Sequence, residues 1–136
     1  MADISITASN VIGSALARRV SKSASSTITA GQPVYLTSTN LVAPADANAS
    51  ATTAQVFGIA ENGGATGQRI SVITQDPALV IGATVAIGDV LVLSATAGGI
   101  APAADLATGH FCTVLGVAIS TTAINFAPVA AGAAKA

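Results

Sequence analysis

An internal duplication constrains this chain more than any other feature. The block Ile87–Ser94 has a near-copy 57 residues upstream at Ala30–Thr37, so that Gly88 corresponds to Gly31. Glycine, proline and aspartate recur in the same order as the apolar residues, which indicates two copies of one structural unit rather than chance similarity in an Ala-rich chain. Two further pairs of blocks match: Leu41–Asp46 with Ile100–Asp105, and Val56–Ala60 with Val114–Ala118.

Each copy has the pattern of a β-hairpin followed by a third strand. A glycine opens the unit, where a positive φ lets the chain turn sharply into a strand rich in β-branched and aliphatic residues. A short turn follows, then a returning strand that ends at Pro44 or Pro102, because proline cannot donate to a ladder. The third strand contains a glycine, which predicts a bulge or a close backbone approach. The glycines assigned to these positions are Gly31, Gly58, Gly88, Gly98, Gly99 and Gly116.

The remaining segments are placed relative to the duplication. Residues 1–29 form an N-terminal strand and arm, residues 30–127 form the duplicated β domain with units of about 30–74 and 83–127, and residues 128–136 form a flexible tail. Ser14–Val20 is compatible with one or two turns of helix. Asp76–Pro77 is expected to break a strand at Gln68–Thr74, and Pro128 to end the last strand. Short strands between Gly, Pro and Asn turns predict an all-β fold, a small barrel or sandwich with at most one short helix.

The composition favours a protein that is stabilised by association. Hydrophobic residues make up 51% of the chain but aromatic residues only 3%, so much of the apolar content is alanine. Apolar burial stabilises by about 25 cal/mol per Å², and alanine contributes little area, so we expect an oligomer or a lattice to complete the core. With a net charge of −1, the chain has no basic field for nucleic acid. No apolar run is long enough for a membrane-spanning helix, no secretion signal is visible, and the single cysteine is typical of a reducing cytoplasm.

Residues that carry chemistry are few. His110 and Cys112 would share one strand face, which is a weak signal for a metal or a nucleophile, and we interpret them as structural. Asp46 and Asp105 are equivalent loop carboxylates without the spacing of a calcium loop. We therefore expect no catalytic residue, no metal ligand and no cofactor.

One charge cluster remains: three of the five basic residues fall within five positions. The cluster is either a solvated surface or an electrostatic contact with an acidic partner, and it lacks the interleaved aromatics of a nucleic-acid site. Its members are Arg18, Arg19 and Lys22.

Four blocks of this sequence, together spanning nearly the whole chain, resemble the small head-decoration, or cement, proteins of tailed bacteriophages. They are Ile4–Ala8, Ala30–Val34, Val56–Glu61 with the Gly-rich turn after it, and Gly88–Leu91. The resemblance implies a β-rich virion protein, synthesised in the host cytoplasm, that binds the major capsid protein on the outside of the assembled shell. It also implies a homo-oligomer, with a trimer favoured and a dimer possible, and no direct contact with nucleic acid or membrane.

Two other classes of function stay open. A carbohydrate-binding or fibre-base module displayed on a virion would need exposed aromatic rings, whereas the four aromatic residues lie in strand patterns. A small enzyme domain of barrel type would need a pocket with perturbed carboxylates. The aromatic residues are Tyr35, Phe57, Phe111 and Phe126.

Overall fold

The computed structural model describes residues 3–135, which form one antiparallel sheet of ten strands, curled into a half-barrel. The helical elements in this range are two 3₁₀ turns, Ala8–Asn10 and Ala103–Asp105. The predicted all-β class is confirmed. The strands are β1 (Val11–Ile12), β2 (Arg18–Ser23), β3 (Pro33–Leu36), β4 (Val42–Pro44), β5 (Val56–Ala60), β6 (Arg69–Ile81), β7 (Val90–Leu93), β8 (Ile100–Pro102), β9 (Phe111–Ala118) and β10 (Ala123–Ala134).

The order of the strands shows the duplication directly. The main path through the sheet is β4-β3-β5-β6-β10-β9-β7-β8, so each half is built from a hairpin, a third strand and a fourth strand in the same arrangement. The two repeats meet where β6 pairs with β10. The predicted internal duplication is therefore confirmed at the level of topology, with β3–β6 as the first repeat and β7–β10 as the second.

The turn that opens each repeat has the same glycine φ and the same closing hydrogen bond in both copies. Gly31 has a φ of 92° and Gly88 a φ of 91°. The amide of Gly31 donates to the carbonyl of Ala60 at 2.8 Å, and the amide of Gly88 donates to the carbonyl of Ala118 at 2.9 Å. Each turn therefore closes onto the end of the third strand of its own repeat.

The glycines inside the third strands serve close packing of backbones. Gly58 lies in β5 and Gly116 in β9, each beside a register shift in the pairing with the hairpin strand. A Cβ at Gly58 would collide with the carbonyl of Ile73, and one at Gly116 with the carbonyl of Asn125. In the hairpin loops the residue with positive φ is Asn40 in the first repeat and Gly98 in the second.

Two predicted strand ends are wrong. Strand β6 continues through Asp76 and Pro77 to Ile81, and β10 continues through Pro128 to Ala134. Pro77 lies where β6 changes partner, since Gln75 pairs with β2 and Asp76 pairs with β10. Pro128 lies where the pairing of β10 with β6 has ended and its register with β9 shifts, between Phe126 and Val129. A missing N–H costs little at such a position, because regular pairing is interrupted there in any case. The mobility assigned to residues 128–136 stays a prediction.

The N-terminal arm, residues 3–28, crosses the whole sheet. It begins at the edge of the second repeat, where the amide of Ile4 donates to the carbonyl of Ile100 at 2.9 Å. It then pairs with both ends of β6 through β1 and β2. It finishes at the edge of the first repeat, where the amide of Ser25 donates to the carbonyl of Val42 at 2.9 Å. The helical turns considered for Ser14–Val20 are absent from this described segment, since β2 begins at Arg18.

The arm completes the core on both sides. Ile4 and Ile6 pack against the largest cluster of buried residues, which combines side chains from both repeats. Ala24 and Ile28 cover a second cluster on the first repeat. Members of the main cluster are Ile59, Ile73, Leu79, Ile81, Val85, Leu91, Ile100, Leu115, Ala118, Ile124 and Phe126.

Candidate interaction surface

The basic residues do not form one patch. The guanidinium of Arg19 donates to both carboxylate oxygens of Glu61, at 2.9 and 3.0 Å, and to the carbonyl of Ser14 at 3.1 Å. The hydrogen bonding between the side chains of Arg19 and Glu61 is the main reason that the pKa of Glu61 is lowered and that the pKa of Arg19 is raised. The charge of Arg19 is thus balanced by Glu61 within the protein, while its side chain stays exposed.

The other two cations point to different surroundings. The Nζ of Lys22 donates to the side-chain oxygen of Asn40 at 2.8 Å and lies 5.9 Å from the centre of the Phe57 ring. Arg18 is exposed at the start of β2. Among the described residues, the ion pair of Arg19 with Glu61 is the single salt bridge, so Arg18 and Lys22 carry the uncompensated charge of this region.

A buried carboxylate that the sequence did not single out fixes the arm. Asp76 has no exposed surface. Its carboxylate accepts hydrogen bonds from the backbone amide of Ser14 at 2.8 Å, from the hydroxyl of Ser14, and from the backbone amide of Ala78 at 3.0 Å. Burial raises its pKa, but these hydrogen bonds and the nearby charge of Arg19 outweigh burial, and the pKa is lowered overall. Asp76 is therefore an anionic anchor for the arm.

The anchored arm presents apolar side chains to solvent. Leu16 is 75% exposed and Ile12 is 60% exposed, although the arm backbone on either side is held by β6. Arg18 follows on the same stretch and is also exposed. We call Ile12, Leu16 and Arg18 the arm surface. Contiguous exposed apolar side chains mark interaction surfaces, and Ile12 and Leu16 are the candidates for such a contact on the arm.

A second uncovered surface becomes visible when the repeats are compared. In the first repeat, Pro33, Ile59 and Ile73 face each other across β3, β5 and β6, and all three are buried. The corresponding row in the second repeat consists of Val90, Val117 and Asn125 across β7, β9 and β10.

This second row is open to solvent. Val90 is 39% exposed and Val117 is 41% exposed, Asn125 is exposed as well, and Ile119 beyond the end of β9 is 48% exposed. We call Val90, Val117, Ile119 and Asn125 the repeat-2 face. Alignment of Ile59 with Val117 in the duplicated sequence marks this position, but the sequence alone does not tell which copy is covered.

Three titratable side chains, Asp3, Asp105 and His110, line one small cavity of about 160 Å³. The Nδ1 atom of His110 accepts a hydrogen bond from the amide of Ala107 at 3.2 Å, and Cys112 is half-buried in β9. Within residues 3–135, no group of three or more His, Cys, Asp or Glu side chains is arranged to hold a metal ion. In the cavity that Asp3, Asp105 and His110 share, the hydroxyl of Ser94 donates to Asp3 at 2.5 Å.

Aromatic side chains do not provide a platform for sugar stacking. Phe126 is fully buried, and Tyr35, Phe57 and Phe111 are half-buried. A cleft of about 500 Å³ is lined by hydroxyl and amide side chains such as Thr7, Asn10 and Thr122 and by aliphatic groups. No aromatic ring is among its lining residues, so the cleft does not favour the carbohydrate-binding alternative.

Comparisons with known proteins leave the chain without an assigned family. No protein-family model matches it, and no curated protein matches it at a significant level. Among the helical segments that the structure describes, none is long and apolar enough to cross a membrane.

Proposed function

We propose that this chain is a structural virion protein that binds the outer surface of an assembled phage capsid. It bridges neighbouring shell subunits and stabilises the head against the pressure of packed DNA. The observation that carries the proposal is the arm surface: a segment anchored by Asp76 and by β6 that leaves Ile12 and Leu16 in solvent. The sequence resemblance to capsid cement proteins supplies the class of partner.

The energetics of this surface suit attachment by many weak contacts. Burial of one large aliphatic side chain stabilises a complex by about 1.5–3 kcal/mol. Arg18 adds an exposed ion pair with an acidic shell residue, which contributes about 0–1 kcal/mol and is screened by salt. Because copies associated with one another hold several such surfaces, the first contact raises the effective concentration of the next.

The test is co-sedimentation of the purified protein with capsids of the virus that encodes it. We expect saturable binding at a fixed ratio to the shell subunit and a higher temperature of DNA release from decorated particles. The double variant Ile12→Ser with Leu16→Ser should bind at least about tenfold more weakly, since about 1.4 kcal/mol corresponds to a factor of ten.

The matched control is Leu36→Ser, which changes an exposed aliphatic side chain at the end of β3, outside the arm surface. This variant should decorate capsids as the parent does. Absence of wild-type binding to capsids refutes the proposed function, and equal binding by the double variant refutes the role of the arm surface.

A further inference from the structure

The carboxylate of Asp105 is buried without a partner. Both of its oxygens are shielded from solvent, and neither accepts a hydrogen bond from any residue that the structure describes. Lys135 reaches the same turn, but its Nζ donates to the carbonyl of Leu106 at 2.8 Å and forms no salt bridge with Asp105. Because an uncompensated buried carboxylate is strongly unfavourable, such a group indicates that a proton, a water molecule or a cation satisfies it.

The equivalent residue of the first repeat does not share this property. Asp46 corresponds to Asp105 in the duplicated sequence, and its carboxylate accepts a hydrogen bond from the amide of Asn48 at 2.8 Å. Aspartate side chains commonly bind a backbone amide two residues further on in this way. Asp105 instead ends the 3₁₀ turn Ala103–Asp105 and has no such donor. The fold of the repeat therefore explains the carboxylate of Asp46 but not that of Asp105.

Asp105 shares its cavity with a second carboxylate. Asp3, at the start of the arm, lines the same space of about 160 Å³, and neither aspartate forms a salt bridge within residues 3–135. The Oδ1 of Asp3 accepts the hydrogen bond from the Ser94 hydroxyl, which fixes the carboxylate. A Cβ on Gly99 would lie 2.5 Å from the Oδ2 of Asp3, so the glycine leaves room for this oxygen. Two carboxylates in one small space repel each other unless a positive charge joins them.

The remaining groups of the cavity favour a hard cation. The Nδ1 of His110 accepts a hydrogen bond from the amide of Ala107, so the neutral ring carries its proton on Nε2 and is a donor rather than a metal ligand. Because no third His, Cys, Asp or Glu completes a cluster within residues 3–135, water must complete the coordination. Calcium takes about six to eight oxygen ligands in a flexible geometry, whereas magnesium demands a near-ideal octahedron. A water molecule takes about 30 Å³ in the liquid, so the cavity has room for one ion with several waters.

We propose that the cavity lined by Asp3 and Asp105 is a calcium site that joins the start of the arm to the second repeat. The two carboxylates bind the ion, Ser94 orients Asp3, and water supplies the other ligands. With only two acidic ligands, the dissociation constant should lie in the weak range of about 10⁻⁴–10⁻³ M. Sequence spacing does not indicate the site, because its carboxylates come from distant parts of the chain. The site goes beyond the proposed function, since it requires no shell.

The first test is the melting temperature of the full chain, freed of metal with a chelator, in increasing calcium chloride. The melting temperature should rise and saturate at millimolar calcium, and magnesium chloride at the same ionic strength should have a smaller effect. Asp3→Asn and Asp105→Asn should each abolish the rise. In chelator, Asp105→Asn should melt no lower than the parent, since it removes an unpaired buried charge. The matched control is Asp46→Asn, which changes the equivalent carboxylate of the first repeat and should keep the calcium-dependent rise.

The second test locates the ion by hydrogen exchange, measured by NMR. The amide of Ile4, directly after Asp3, donates to the carbonyl of Ile100. Calcium should slow its exchange more than that of the Ser14 amide, which lies in the middle of the arm. A parent without a calcium response, a response that survives in Asp105→Asn, or equal slowing at Ile4 and Ser14 would each overturn the proposal. Both tests use the free protein, so a failure of capsid binding leaves their outcomes interpretable.

Discussion

The paired glycines Gly31 and Gly88 allow a prediction in which the protein supplies its own control. Both have nearly the same positive φ, 92° and 91°, so replacement by alanine imposes the same backbone strain, about 1–2 kcal/mol. Alanine also lowers the entropy of the unfolded chain equally at both sites, which stabilises the folded state by about 0.4–1 kcal/mol. These two effects cancel when the variants are compared with each other.

The surroundings of the two sites differ. A Cβ on Gly88 meets no atom within 4 Å, whereas a Cβ on Gly31 would lie 2.7 Å from the Cγ2 of Ile6 and 3.1 Å from the Cγ2 of Val11. Ile6 belongs to the arm and packs on the main core, so relief of the clash displaces the arm. Overpacking of this kind costs about 1–3 kcal/mol.

We therefore expect Gly88→Ala to destabilise by about 0.5–1 kcal/mol and Gly31→Ala by about 2–4 kcal/mol. Gly88→Val should reach about 1–3 kcal/mol, because a β-branched residue is strained at a positive φ. The assay is reversible urea unfolding followed by circular dichroism. Equal losses for the two alanine variants would refute the packing of the arm against Gly31, and a neutral Gly88→Val would refute the turn.

The other predictions use the same unfolding assay or the capsid-binding assay. Asp76→Asn should destabilise by about 1–3 kcal/mol at pH 7, since it weakens hydrogen bonds to a buried charge. Because the pKa of Asp76 is lowered in the folded protein, its ionised carboxylate stabilises the fold fully above about pH 4, and this stabilisation is lost as the pH falls through the folded pKa. The difference in unfolding free energy between Asp76→Asn and the parent should therefore decrease in acid. A difference that does not change with pH would contradict this dependence on ionisation. Gly98→Asn should destabilise by about 1–3 kcal/mol. Asparagine tolerates the positive φ, as Asn40 does in the first repeat, but Gly98 is buried and a Cβ there would lie 2.9 Å from the Nε2 of Gln32. A neutral change would show that Gln32 moves aside without cost. The triple change Arg18→Ser, Arg19→Ser and Lys22→Ser should weaken capsid attachment modestly and remove most of its salt dependence. Arg19→Ser alone should leave attachment unchanged, since the charge of Arg19 is balanced by Glu61. A parent protein whose attachment does not depend on salt would exclude an electrostatic role.

The duplication was predictable because its two copies share glycines at positions where the backbone conformation requires them. Gly31 and Gly88 mark the turns with positive φ, and Gly58 and Gly116 mark the close approach of neighbouring backbones. These requirements are local, so a single sequence contains them. Apolar periodicity then assigns the segments between them to strands.

The lengths of β6 and β10 were not predictable from the same rules. Pro77 and Pro128 signal a strand end when each residue is considered with its neighbours in sequence alone. In the folded protein Pro77 lies where β6 changes partner, and Pro128 lies at a register shift between β10 and β9; both are properties of tertiary pairing. The anchoring role of Asp76 is hidden for the same reason, because its partner Ser14 is 62 residues away.

The candidate surface was predicted only in part. The sequence identified the cluster of Arg18, Arg19 and Lys22 but not the neutralisation of Arg19 by Glu61, 42 residues further on. It also did not separate Val117 from its counterpart Ile59, which have similar side chains and opposite exposure. The exposure of each side chain depends on which segments pack on its repeat. A local sequence pattern does not contain that information.

The arm also determines the order in which the protein can mature during synthesis. It leaves the ribosome before the two repeats, yet the partners of its first residues are made much later: Ile4 requires Ile100, and Asp3 requires Ser94, 91 residues later. At about 5–20 residues per second, the arm waits roughly 5–20 s for these partners. Contacts of such high sequence separation slow folding. The arm surface itself is held by β6 and Asp76 and so needs only the first repeat, whereas Asp3 and Ile4 reach their final positions only after the hairpin of the second repeat is made. A half-made chain therefore presents the arm surface before the start of the arm is fixed.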